Sequence, residues 1–313
     1  MDNFKRAIKK HIPERSWNNL REKWLDNLPI IESPGSAPEH DLSDFYLLEE
    51  ELESRRKNGL YPGSSFITLK KELKGLRPLI FREGLFLLHK ASHVLGVAEL
   101  QVRKGILTWS LSNAYQGGIF AARAIIRFLG VATVSIENKS WIIDIYPELE
   151  KLSSKERKRG LVPMPNTFFI LIRKRVENRH MWQLFQRLMR VSKFHDEILN
   201  NLKKTFSDLD VSSFAKQRNR LHYSNHIWLF NDLYEFLEDT SFGLRDILPH
   251  IDLQLDDIVS DFTMILTFSI FHFGFSLLES LAEKTKKINA ELDLIKDSFS
   301  SKRHPIYDNI IGN

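Results

Sequence analysis

The sequence predicts a mainly α-helical protein carrying one β-hairpin. Apolar residues recur at helical spacing over residues 80–95 and 103–129. A second observation is the apolar run of 17 residues at 262–278, FTMILTFSIFHFGFSLL, long enough for a buried helix. The third is a single strand signal. VATVSI (131–136) and WIIDIY (141–146) are β-branched or aromatic runs around the polar turn ENKS, and Pro147 follows them.

Taken in order, residues 1–30 read as helix, with Trp17, Leu20, Trp24 and Leu28 at steps of three and four. Residues 31–41 gather Pro34, Gly35, Ser36 and Pro38 into a loop. A short acidic helix over 45–56 runs into the turn-rich NGLYPGSS of 58–65. Residues 1–75 are thus expected to form a helical N-terminal extension or accessory segment, and 76–297 a helical domain with its hairpin at 131–146. Gly117 and Gly118 lie inside the 103–129 helix, where each costs up to about 1 kcal/mol relative to Ala. Their presence predicts close approach of a neighbouring helix. A basic linker, 152–165, leads to a long amphipathic helix of about 166–205. Further helices are expected from Val211 or Ser212, over 227–237 and over 253–295, before a flexible polar tail at 298–313.

The charge and composition exclude several classes. Apolar residues make up 42% and charged residues 27% of 313, so a folded protein is expected rather than a disordered one. No cysteine is present, which removes disulfides, thiolate metal sites and cysteine nucleophiles. Residues 1–25 are rich in Lys and Arg without an apolar core, so no signal peptide and a cytoplasmic location are expected. The 262–278 run contains His272, is flanked by Asp261 and Glu279, and falls short of a bilayer span; no membrane is expected. There is no P-loop, no GxGxxG, no GxSxG and no HExxH, which argues against the corresponding nucleotide, hydrolase and zinc enzymes.

The formal charge of +5 hides an asymmetry. Residues 151–190 hold eleven Lys or Arg against Glu156 and Glu177, a balance of +9. Residues 231–262 hold nine acids against Arg245, a balance of −8. A polyanion-binding face, two oppositely charged surfaces that meet, and plain solvated helix faces all accommodate this pattern. For RNA, the candidate contacts are Lys155, Arg157, Lys158, Arg159, Arg173, Lys174 and Arg175.

One polar cluster carries chemistry: KQRNRLHYSNH, residues 216–226. On a helix Arg218 and His222 share one face, and Asn219 and Tyr223 the adjoining one. A histidine near its unperturbed pKa of about 6.5 exchanges a proton at neutral pH. An arginine beside it holds a phosphate by two parallel hydrogen bonds and neutralises charge developing during transfer. That is the minimum set for metal-free cleavage of RNA, whose 2′-hydroxyl supplies the nucleophile; no cofactor and no metal are required. Separate acid and base roles call for a second histidine, from another copy of the chain or from His226.

RNRLHY, following NAYQGGIFAARAIIRFLG (113–130), resembles the HEPN superfamily. Tyr115, Phe120, Ala121, Ala122, Arg123 and Ala124 echo its aromatic- and alanine-rich helix. The resemblance covers about residues 80–290. It implies an up-and-down helical bundle, a homodimer, and a composite site at the dimer interface, commonly in toxin–antitoxin, abortive-infection or antiviral systems. It also implies Arg218 and His222 as the catalytic pair, with Asn219 after the arginine and Tyr223 beside the site. The superfamily usually places four to six residues between Arg and His. Arg218 to His222 has three, whereas Arg220 to His226 has five but lacks the Asn, so both pairs stay in view.

The expectation is a metal-independent endoribonuclease, with RNA, a second copy and an antitoxin or defence-complex protein as partners. The alternative is a non-catalytic RNA- or nucleotide-binding or scaffold subunit of a defence complex. Other candidates read as structural. His89 and His93 have metal-ligand spacing but no evident acid or third ligand. His195, Asp196 and Glu197 read as a solvated helix face, and Trp141, Asp144 and Tyr146 as core rather than ligand lining. Trp17, Trp24, Trp182 and Trp228 read as core or interface anchors.

Overall fold

A computed structural model describes residues 3–26, 50, 66–70, 76–103, 106–136, 139–146, 167–173, 176–208 and 259–298. The described residues are mainly helical and divide into two compact units. The first draws on residues 1–30, 37–84 and 126–207, the second on 85–125 and 208–313. The division does not follow the sequence boundary expected at residue 75.

In the first unit, helix α1 (Asn3–His11) is followed by the two-residue strand β1 (Arg15–Ser16) and by α2 (Trp17–Asp26). The single helix expected over residues 1–30 is therefore broken. Pro13 disfavours helix at Ile12 and lacks an amide hydrogen, and Arg15–Ser16 pair in parallel with Ser192–Lys193. Strands β2 (Phe66–Lys70), β3 (Val131–Ile136), β4 (Lys139–Asp144) and β5 (Thr167–Arg173) form an antiparallel sheet in the order β2-β5-β4-β3.

The expected hairpin is present as β3 and β4, but it is half of that sheet rather than an isolated insertion. Its register places Ile136 opposite Lys139, so the link is two residues shorter than the polar tetrad implied. Residues 167–173, expected as the start of a long helix, are strand. TFFILIR is an unbroken apolar run, which periodicity cannot distinguish from buried helix; its β-branched and aromatic content and its pairing with β4 and β2 decide for strand. The helix expected there is instead α5 (Asn178–Val191), followed by β6 (Ser192–Lys193) and α6 (Glu197–Asp208). Asp196 opens α6, its Oδ1 accepting the Leu199 amide at 2.8 Å.

Two long helices, α3 (Leu76–Arg103) and α4 (Leu107–Phe128), contribute to both units, the boundary falling after Gly84 and after Ile125. In the first unit Trp24, Phe81 and Phe128 pack as tilted rings at 5.2 and 5.5 Å between centroids. The Trp24 Nε1 donates to the Phe128 carbonyl at 2.8 Å, and the Arg127 Nε to Glu83 at 2.7 Å. Gly130, at φ +81°, ends the descent from α4 into β3 in a conformation that glycine tolerates and other residues resist. Its carbonyl accepts the Ile145 amide at 2.9 Å.

The second unit is helical: the later part of α3, most of α4, and α7 (Val259–Ala282) and α8 (Asn289–Ser298). The helix expected over 253–295 is thus two helices with turns between them. The close approach predicted from α4's glycines is found. A Cβ on Gly117 would lie 2.7 Å from Leu95 of α3, and one on Gly118 would lie 2.6 Å from Thr267 of α7. Gly274 of α7 sits likewise against Ile125 and Leu88. From Leu266 to Leu281, α7 is buried almost throughout, as its apolar sequence predicts. Among the described residues no helix is long and apolar enough to cross a membrane.

Candidate functional site

The cluster singled out in the sequence, Arg218, Asn219, Arg220, His222, Tyr223 and His226, lies outside the described residues. So do Lys155, Arg157, Lys158, Arg159, Lys174 and Arg175 of the basic stretch, while Arg173 closes strand β5. Trp228 and the helices expected from Val211 and over 227–237 fall outside as well.

The helix that accompanies the motif in sequence is described. It is α4, which buries Tyr115, Ala121, Ala122 and Ala124. Phe120 is half-buried, with the Lys90 ammonium 5.4 Å from its ring centroid and 5.0 Å from that of Phe86. Alanines and glycines remove side-chain bulk from the faces that meet α3 and α7, and Tyr115 supplies the large apolar surface beside them.

Several described arrangements hold ionisable groups away from water, three of them with a histidine or a complete ion pair at their centre. In the first unit Arg15 is buried against Asp144. Its Nη1 donates to the Leu129 carbonyl at 2.7 Å, and its Nη2 to Asp144 Oδ2 at 2.7 Å. Asp144 Oδ1 also accepts the Tyr146 amide at 3.0 Å, and the guanidinium lies 5.2 Å from the Tyr146 ring centroid. Sequence reasoning placed Asp144 in the core but missed its partner. An acid inside an otherwise apolar strand run was the available signal, since a buried carboxylate needs a cation or several donors. With the pair closed to solvent, it holds α1–β1 against the hairpin rather than meeting a ligand.

In the second unit His89 of α3 meets Glu291 of α8, both largely buried. The acid absent from the sequence neighbourhood of His89 arrives from 202 residues away. His93, one turn on, is exposed. A carboxylate on one ring nitrogen orients an imidazole, the arrangement by which enzymes hold a general base. Here it joins two packed helices. No group of three or more His, Cys, Asp or Glu able to hold a metal ion occurs among the described residues.

The third is His272, on the apolar helix α7. Burial pushes its imidazole below the ordinary 6.5, and its Nδ1 has no hydrogen-bond partner among the described residues.

Trp17, Trp24, Trp141 and Trp182 are buried, as expected of anchors. His195, Asp196 and Glu197 are exposed. At the described end of the basic stretch the arginines bind backbone. Arg187 donates to the carbonyls of Lys9 and Ile12 at 3.2 and 2.8 Å, and Arg190 donates to that of Ser207 at 2.8 Å. Comparison with protein-family models, curated proteins and solved structures finds no match to this chain.

Proposed function

We propose that the chain is a metal-independent endoribonuclease of the toxin or defence type, built as a HEPN-like helical bundle and working as a cytoplasmic homodimer. The observation that carries this reading is the motif RNRLHY together with the helix sequence NAYQGGIFAARAIIRFLG. The burial of Tyr115, Ala121, Ala122 and Ala124 in a glycine-closed helical unit is compatible with a helical bundle built around this helix.

In the mechanism, His222 takes the proton of the RNA 2′-hydroxyl as its oxygen bonds to the adjacent phosphorus. The P–O5′ bond breaks, leaving a cyclic phosphate and a 5′-hydroxyl whose proton comes from the second histidine. Arg218 holds the phosphate and neutralises charge developing on its oxygens. The second histidine is His222 of the other copy or His226. The basic stretch from Lys155 to Arg175 gathers RNA, and an antitoxin or defence-complex protein restrains the activity.

Cleavage of a fluorogenic RNA by the purified protein should fall by on the order of 10²–10⁴ in His222→Ala, with a comparable loss in Arg218→Ala. His222→Ala should also relieve toxicity on expression in a host cell. Full activity in both variants overturns the reading. The short Arg218-to-His222 spacing favours a second reading, a non-catalytic RNA-binding or scaffold subunit. It predicts RNA binding without cleavage, and no pairing of the two motifs across a two-fold axis.

A further inference from the structure

The first unit presents a cationic face built on α1. Helix α1, NFKRAIKKH, contains no acid and buries Phe4 and Ile8. Its exposed surface is Lys5, Arg6, Lys9 and Lys10, none with an ion-pair partner among the described residues. Lys5 and Lys9 are four residues apart, as are Arg6 and Lys10, so each row spans about 6 Å along the helix axis.

The neighbouring elements extend this face beyond α1. Helix α1 lies beside α5, with Phe4 against His180 at 4.6 Å between ring centroids and Arg187 on the carbonyls of Lys9 and Ile12. Arg190 follows one turn later and ties α5 to α6 at the Ser207 carbonyl. Lys193 meets Glu14 at 3.0 Å, and Lys203 feels the Lys193 charge. Lys204 is exposed beside it in sequence. The like charges register on one another. His11 lies below its ordinary value through burial and then Lys10, and Lys203 through burial and then Lys193. A concentration of one sign held this way favours an anion that spreads charge over several positions.

We propose that the α1 face, Lys5, Arg6, Lys9 and Lys10 with the neighbouring Lys193, binds the phosphodiester backbone of RNA without reading its bases. An acidic protein partner fits less well. Protein interfaces anchor on buried aromatic or aliphatic side chains, and none of the exposed large apolar residues among those described, Leu100, Ile106, Trp109 and Leu294, lies on α1, α5 or α6. The choice of RNA rests on the ribonuclease reading above; the anion chemistry rests on this surface.

The test is fluorescence anisotropy with a labelled RNA oligonucleotide over a salt series. It compares full-length His222→Ala, which keeps the RNA intact, with the same chain also carrying Lys5→Gln, Arg6→Gln, Lys9→Gln and Lys10→Gln. Neutralising these side chains should make the slope of log affinity against log salt shallower by about 3, and binding at low salt should weaken by at least about tenfold, in line with counterion release. Circular dichroism and thermal unfolding should match between the two, since the changed side chains are exposed. An unchanged slope and affinity overturn the proposal. So does polyglutamate competing with RNA as effectively as unlabelled RNA does, because the face then serves acidic proteins. Cleavage is read separately with unlabelled wild-type protein. If α1-dependent binding persists where cleavage is absent, the ribonuclease reading falls and this surface stands. If cleavage is present while the slope is unchanged, the reverse holds.

Discussion

The two units solve the problem of polar and tightly packed interiors differently. The sheet-bearing unit buries a full ion pair, Arg15 with Asp144, and ties it to the Leu129 carbonyl and the Tyr146 amide. The helical unit, which also buries His89 against Glu291, relies more on removing side chains. Gly117, Gly118 and Gly274 let α3, α4 and α7 approach at distances where a Cβ would collide or press. Short strands entering from distant parts of the chain leave polar groups at their ends to be satisfied inside, whereas helices satisfy most of their own backbone and need only room. Charge burial is thus most complete in the first unit and glycine-closed packing most extensive in the second, although Gly84 against Phe128 gives the first unit a close approach and His89 with Glu291 gives the second a buried pair.

The largest expected effect breaks the first half of that contrast. Asp144→Ala leaves the Arg15 guanidinium buried without its carboxylate, and should cost about 3–5 kcal/mol in chemical unfolding. Replacing both members by apolar residues of similar volume should recover most of it; equal loss in the single and double variants would show that the cost comes from losing the pair rather than from stranding a charge. Next comes Gly118→Ala. The added methyl meets Thr267 and should cost about 1–3 kcal/mol, against a gain of up to about 1 kcal/mol in helix propensity. Thr267→Ala added to it should restore stability, and a stabilised single variant would sink the close-approach account.

A smaller effect separates the units by pH. His272 in the helical unit is held below its ordinary 6.5 by burial. The unfolded chain therefore binds the proton more readily, and stability rises with pH through that region. Unfolding midpoints should fall between about pH 8 and about pH 6, and His272→Asn should flatten the dependence. Some slope should remain, since burial lowers His11 of the other unit in the same direction. An unaltered slope in the variant would refute the assignment to His272. Smallest is Trp109→Ser. Trp109 is 53% exposed, so the change should stay within about 0.5 kcal/mol by thermal unfolding.

Much of this was legible in residue spacing. The periodic runs at 80–95 and 103–129 correspond to α3 and α4, VATVSI and its partner to β3 and β4, and Gly117 and Gly118 to close helix packing. The misreadings share a cause. TFFILIR carries no period that separates strand from buried helix, and FITLK was too short to stand out from its turn-rich surroundings; both become strands because each finds the other across about a hundred residues. Likewise Arg15 finds Asp144, and His89 finds Glu291, at separations of 129 and 202 residues. No local pattern carries such pairings. The candidate site was legible only as the motif at Arg218–His226 and the α4 sequence, since chemistry of that kind is written in residue type and short spacing.

By itself, then, the sequence determined the helical character, the α4 packing face, the absence of thiol chemistry and the RNRLHY motif. All of these depend on neighbours within a few turns of chain. Tertiary structure alone decided the four-stranded sheet, the grouping of residues 1–30 with 126–207, the burial of Arg15 on Asp144 and the gathering of cations around α1. Each of these brings together groups far apart in sequence, where the free energy comes from desolvation and pairing in three dimensions rather than from local propensity.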